Sequence, residues 1–233
     1  MAVPPQTNEA FLREVDEELR RDQALHFWTR YGKLVIGAVV LGLAAFGGML
    51  YWQHRTEQRA GEQGKTLATA FEKIGTGDQA AAQNPLAELA GSGSGAYRAS
   101  AKFVQADIML QKNDLKGAAA KFGEVVGDAS IAQPFRDLAL IRQTSAEYDS
   151  LKPETVVSRL RPLAEKGAPW FGSAGEMIAV AYLRMKRTDL AGKIYGQMAN
   201  DTLVPESIRQ RAAQMASSLG VDAGQQDGDK KAR

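Results

Sequence analysis

Chemistry needs side chains that ionise or attack, held at fixed spacing, and this sequence offers few. Its two histidines, His26 and His54, flank one apolar stretch, and neither belongs to a spaced ligand set of the kind zinc requires. Cysteine is absent, which excludes disulfides, thiolate catalysis and zinc fingers. No nucleophile elbow, phosphate loop or paired-histidine metalloprotease motif occurs. Gly91-Ser92-Gly93-Ser94-Gly95 lacks the preceding strand and the spacing of a dinucleotide loop, and reads as a flexible joint. Asp107, Asp114 and Asp137 lie on or beside predicted helices, as solvated faces or caps. Asp114 and Asp189 each open a helix, where an acid suits the positive dipole end. The expectation is a protein that is not an enzyme, with no cofactor, metal or small-molecule substrate.

What remains is surface. Arg136, Arg142 and Arg184 are candidates for lining a binding groove, and Lys186 and Arg187 follow closely. In the apolar stretch, Ala38 and Gly42 are four residues apart, as are Ala44 and Gly48. Small residues at that spacing let a second helix approach closely.

The groove candidates must be carried by helices, because no run of alternating β-branched residues predicts a strand. From Tyr97 the chain repeats itself at a shift of seventy-three residues. Tyr97 meets Trp170, Ala106 meets Ala179 and Met109 meets Tyr182. Ala118 meets Ala191, Phe122 meets Tyr195 and Val125 meets Met198. Two periods of about thirty-six give this shift, and a middle copy fits less well, with Arg161 where a ring is expected. Each copy reads as two helices: residues 97–112 and 114–126, 134–150 and 153–166, then 170–186 and 189–200. A last helix over 205–219 caps the open end. A small residue that lets helices approach, then a ring four residues later, is the packing logic of a tetratricopeptide-like unit of about 34 residues. Ala106, Met109, Ala118, Phe122, Ala179, Tyr182, Ala191 and Tyr195 are therefore expected in the core.

The apolar stretch itself, residues 34–52, has nineteen residues and no charge. As a helix it spans roughly 28 Å, close to the hydrocarbon thickness of a bilayer. Trp28 and Tyr31 border it on one side, Tyr51 and Trp52 on the other, as headgroup-level rings do. It starts too late and runs too long for a cleaved signal, so a retained membrane anchor is expected. Arg20, Arg21, Arg30 and Lys33 precede it, against Arg55, Arg59 and Lys65 after it, a slight lean toward a cytoplasmic N-terminus.

The segments divide as follows. Residues 1–33 form an N-terminal lead with a short amphipathic helix. Residues 53–96 form a helical connector ending in the Gly/Ser joint, 97–219 the repeats, and 220–233 a disordered tail. The fold expected is all-α: one transmembrane helix, then an α-solenoid of about three helix pairs plus a capping helix. A net charge of +2 gives no electrostatic case for nucleic acid.

Three features together resemble a bacterial family. They are Val15-Asp16-Glu17-Glu18-Leu19 in the lead, the approach WTRYGK from Trp28 to Lys33 with the span after it, and the repeats from Tyr97 to Met198. The chain is similar to the YfgM-like ancillary subunits of the SecYEG translocon. That resemblance implies an inner-membrane protein with a cytoplasmic N-terminus and a periplasmic repeat domain. Its partners would be translocon subunits, periplasmic chaperones or exported clients, and the family has no catalytic residues to transfer. The alternative function is a membrane-anchored scaffold for another cell-envelope or respiratory complex.

Overall fold

The computed structural model describes residues 7–221, with side chains from Trp28 onward apart from Val35. The side chains of the amphipathic lead and the tail from Asp222 lie outside the described residues. Nine α-helices and one 3-10 turn are present among the described residues, and no strand. The expected all-α fold is what the chain adopts. It divides into two compact units at Gly61 and Glu62.

Helix α1 (Thr7–Gly75) supplies the described part of the first unit and the opening of the second. It holds a stretch long and apolar enough to cross a membrane, and none of the described residues buries that stretch. Leu34 is 70% exposed, Leu41 73% and Trp52 74%. In water such a surface is strongly unfavourable. In lipid, a helix that satisfies its own backbone is the stable state for a lone segment. Arg30 lies 5.9 Å from the Tyr31 ring and Arg55 5.5 Å from the Tyr51 ring. The two Arg–Tyr pairs are about 30 Å apart along the helix axis at 1.5 Å per residue, one at each expected interface.

In the second unit the last turns of α1 pack Leu67, Ala70 and Ile74 with α2 (Gln83–Ala90) and α3 (Gly95–Gln111) through Leu86, Leu89, Ala101 and Ile108. Phe71 is 53% exposed, and Ala70 takes the buried position beside it. The repeats thus begin before Tyr97, because α2 already covers one flank of α3. The Gly91–Gly95 stretch, expected as a flexible joint, is a fastened turn. Arg98 donates to the Ser92 carbonyl, and Ser92 N donates to Leu89 O at 3.0 Å. A Cβ on Gly95 would lie 2.7 Å from Ser130 O, so glycine is what lets the two backbones meet.

Then come α4 (Leu115–Val126), α5 (Gln133–Ala146) and α6 (Pro153–Leu160), with a 3-10 turn over Arg161–Leu163. Helices α7 (Phe171–Arg184), α8 (Thr188–Ala199) and α9 (Glu206–Ser218) complete the array. The helix expected over 153–166 stops at Leu160. Pro162 has no N–H to continue the ladder, and a 3-10 turn takes over from Arg161, whose backbone stays helical at φ −50° and ψ −43°. Helix α5 also stops short of 150, where Ser150 N turns back to Glu147 O at 2.9 Å. At the far end Gly220 takes a φ of +75°, and Val221 N donates to Ala216 O at 2.9 Å. These two residues, expected in the tail, therefore close α9, and Val221 packs on the last core cluster.

Candidate functional site

The repeat residues assemble as two matching cores. Ala106, Ala118, Phe122 and Val125 are fully buried together, with Met109 against them. Ala179, Ala191, Tyr195 and Met198 form the counterpart, with Tyr182 against them. Alanine at 118 and 191 removes the bulk that would hold the paired helices apart. The ring one turn later fills the space between them. Phe122 meets Phe103 with centroids 5.7 Å apart and planes tilted by 52°, a favourable aromatic arrangement.

The first helix of each pair touches the first helix of the next: α3 meets α5, α5 meets α7, and α7 meets α9. The second helices α4, α6 and α8 make no contact of that extent with one another. The odd-numbered helices therefore form the closer-packed row, the side on which stacked pairs present a concave surface. Charged and polar links stitch this row. Arg142 on α5 reaches Asp107 on α3 at 2.5 Å, and its guanidinium lies 5.0 Å from the Phe122 ring centre. Arg211 on α9 makes a two-pronged pair with Glu176 on α7 at 2.6 and 2.7 Å. The Glu176 carboxylate holds the Arg211 pKa above its ordinary value. Arg184 donates to the carbonyls of Tyr148 and Leu151 at 3.0 and 3.2 Å, and lies 5.4 Å from the Tyr148 ring. Tyr148 in turn donates to Met177 O at 3.0 Å, and burial pushes its phenol pKa up.

Each of the three groove candidates is engaged within the chain. Arg142 is paired with Asp107, Arg184 is spent on backbone carbonyls, and Arg136 donates to Gln133 on its own helix. Two acid–guanidinium pairs, Asp107–Arg142 and Glu176–Arg211, cross between successive helices of the row. Among the described residues no group of three potential ligands is close enough to hold a metal.

On α1 the small residues Ala38, Gly42, Ala44 and Gly48 are all exposed. At 100° per residue, the Ala38–Gly42 and Ala44–Gly48 pairs lie on different faces, about 120° apart. A Cβ at Gly42 or Gly48 would meet nothing within 4 Å. Both faces are open to lipid or to another helix.

The model of a family described as a tetratricopeptide repeat-like domain matches residues 25–217. The chain belongs to the tetratricopeptide repeat-like family. No curated protein and no solved structure matches it. The matched region takes in the apolar stretch as well as the repeats. Domains of this family generally mediate protein–protein interaction, which fits a row of stacked helices with no clustered reactive groups.

Family packing extends further than the residues picked from sequence. Asn113 and Lys186 correspond at the same shift and both take left-handed backbone, at φ 60° and 59°. The next amides donate to Met109 O and Tyr182 O at 2.8 and 2.9 Å, so both first helices end alike. Asp128 and Asp201 correspond too. Each accepts from the amide two residues on, Ser130 N at 3.0 Å and Leu203 N at 2.9 Å. Each also reaches back across the unit, Asp128 to Arg98 at 2.8 Å and Asp201 to Gly167 N at 2.7 Å. Ser130 and Arg98 hold the Asp128 carboxyl down at about 2. Ile131 and Val204, then Ala139 and Ala212, continue the series, all buried. Carrying the seventy-three-residue shift past Met198 would have found them. The repeated unit is thus three helices, α3–α5 matched by α7–α9, with α6 and its 3-10 turn between them.

Proposed function

We propose that this protein is a single-pass inner-membrane protein whose repeat domain holds other polypeptides non-covalently, as an ancillary subunit of the export translocon and the periplasmic chaperone network. The observation that carries the reading is the conjunction, in one family-matched stretch, of an uncovered apolar helix with an array of stacked helix pairs. An anchor confines the domain to the membrane plane and raises its effective concentration beside a membrane-embedded partner. The N-terminal lead is cytoplasmic and the repeats are periplasmic, following the slight excess of Arg and Lys before the span. The role is binding rather than catalysis, a reading supported by Asp107–Arg142 and Glu176–Arg211, which serve as structural pairs between successive helices.

Two experiments test this. Protease added outside spheroplasts should digest the repeat domain and spare the N-terminal lead; loss of the lead alone refutes the orientation. Photo-cross-linking from Val180 on α7, in intact membranes, should yield products containing translocon subunits or periplasmic folding factors. Products made only with another envelope complex refute the export role.

A further inference from the structure

Shortening of α6 leaves a groove beside the starts of α5 and α7. The second helices α4 and α8 each run twelve residues, but α6 runs eight. Where its last turns would lie, the chain turns through Pro162 and Leu163 to Pro169 and Trp170, facing Pro134 and Asp137 at the start of α5. The wall is held in place: Gly167, at φ +83°, donates its amide to the buried Asp201 carboxylate at 2.7 Å. The opening is therefore pre-formed, which lowers the entropy cost of filling it.

Its chemistry is selective. Three prolines contribute stiff apolar surface and no N–H. Phe135, Arg136 and Phe171 have already given their amides to Ala132 O and Ala168 O, so the helix starts have few donors left for an anion. Asp137 is the single charged side chain lining the groove. It accepts from Gln133 at 2.6 Å and enters no ion pair among the described residues, unlike Asp107, Asp128 and Asp189. An apolar floor beside one unpaired carboxylate complements an apolar side chain with a cation next to it.

We propose that this groove docks a segment of another protein in which leucine-like side chains adjoin a lysine or arginine. The proposal rests on the protein-binding reading and names one site within it. The probes are two fluorescein-labelled eleven-residue peptides, one with central Leu-Leu flanked by lysines and one with glutamates in their place. Each is titrated against the full chain in detergent micelles. The lysine peptide should bind more tightly than the glutamate peptide. D137K should weaken lysine-peptide binding about tenfold and D137N about threefold, the range expected of a partly exposed ion pair made repulsive or neutral. D149K, which changes net charge equally at an exposed position outside the groove, should shift it less than twofold. Helical circular dichroism is checked for each variant, and D137N alone suffices if D137K unfolds. Equal binding of the two peptides, no binding of either, or like effects of D137K and D149K would each overturn the site. Cross-linking from Pro169 separates the two levels. Products from Val180 with none from Pro169 refute the groove and leave the broader reading standing, whereas none from either refutes both.

Discussion

Replacing Phe122 with alanine removes a fully buried ring from the centre of the first repeat core. The ring packs with Ala106, Ala118, Val125 and Phe103, and its face also takes the Arg142 guanidinium at 5.0 Å. Truncating a buried phenylalanine costs about 3–5 kcal/mol through lost transfer energy and the cavity left behind. Loss of the cation–π contact adds about 0.5–1 kcal/mol at a half-exposed arginine. Where that cost falls is the sharper point. The cluster around Phe122 shares no residue with the one around Tyr195. In a stacked array, stability is approximately a sum of unit terms and nearest-neighbour terms. Hydrogen exchange on the full chain in detergent micelles should therefore show amides of α3, α4 and α5 exchanging about 10²–10⁴ times faster, since each 1.4 kcal/mol is tenfold. Amides of α8 and α9 should change by less than about threefold. Uniform acceleration across all helices, or an effect on α3–α5 below about tenfold, would refute the picture of separable cores.

Other consequences can be checked as directly. Lys186 pays for left-handed backbone that glycine adopts freely, so Lys186→Gly should raise stability by about 0.5–1 kcal/mol in urea melts, while Lys→Gly at exposed Lys193 inside α8 should lower it by a similar amount. Asp128 has its pKa lowered from 3.8 to about 2, so its stabilising contribution is complete above about pH 4 and disappears as pH falls through about 2. Asp128→Asn should flatten the pH dependence of the urea midpoint over that window, and an unchanged curve would rule out the Arg98–Ser130 arrangement. Gly95→Ala should destabilise the α2–α3 turn by pressing a methyl against Ser130 O, visible as a lower thermal midpoint. The full chain should stay with membranes in alkaline carbonate. Leu41→Arg, costing about 2.5–3.5 kcal/mol at the helix centre, should reduce the retained fraction.

The membrane candidate and the repeat pairs were legible because each rests on a strong local pattern. An uncharged run of nineteen residues has one stable helical solution in lipid, and Ala118 with Phe122 repeats in Ala191 with Tyr195. Asp114 was readable as a cap because the rule is local, and it accepts from Gly117 N at 2.8 Å. What sequence did not reveal depends on partners far along the chain. Gly91–Gly95 looks flexible by composition, yet Arg98 and the close pass of Ser130 fix it. Arg142 and Arg184 look like free surface charge until Asp107 on α3, and Tyr148 and Leu151 in the link between α5 and α6, arrive from thirty-three to thirty-six residues away. Pro162 is a local signal of another kind: it has no N–H to continue the ladder, and α6 gives way to a 3-10 turn after Leu160.

That proline ties the irregular part of the array to its proposed use. Regular pairs, α3 with α4 and α7 with α8, are sealed by alanine-and-ring packing and leave no gap between their helices. The odd-numbered row is stitched by Asp107–Arg142 and Glu176–Arg211, which occupies those four charges within the chain. The proposed selectivity comes from a place where the pattern fails. The regular pairing is interrupted between α5 and α7, where a shortened helix leaves Leu163 and Trp170 half-buried beside an acid with no ion-pair partner among the described residues. Flanked by two well-packed three-helix units, that irregularity keeps a defined shape. A groove between rigid walls can discriminate among side chains, where a loose one would adapt to any of them.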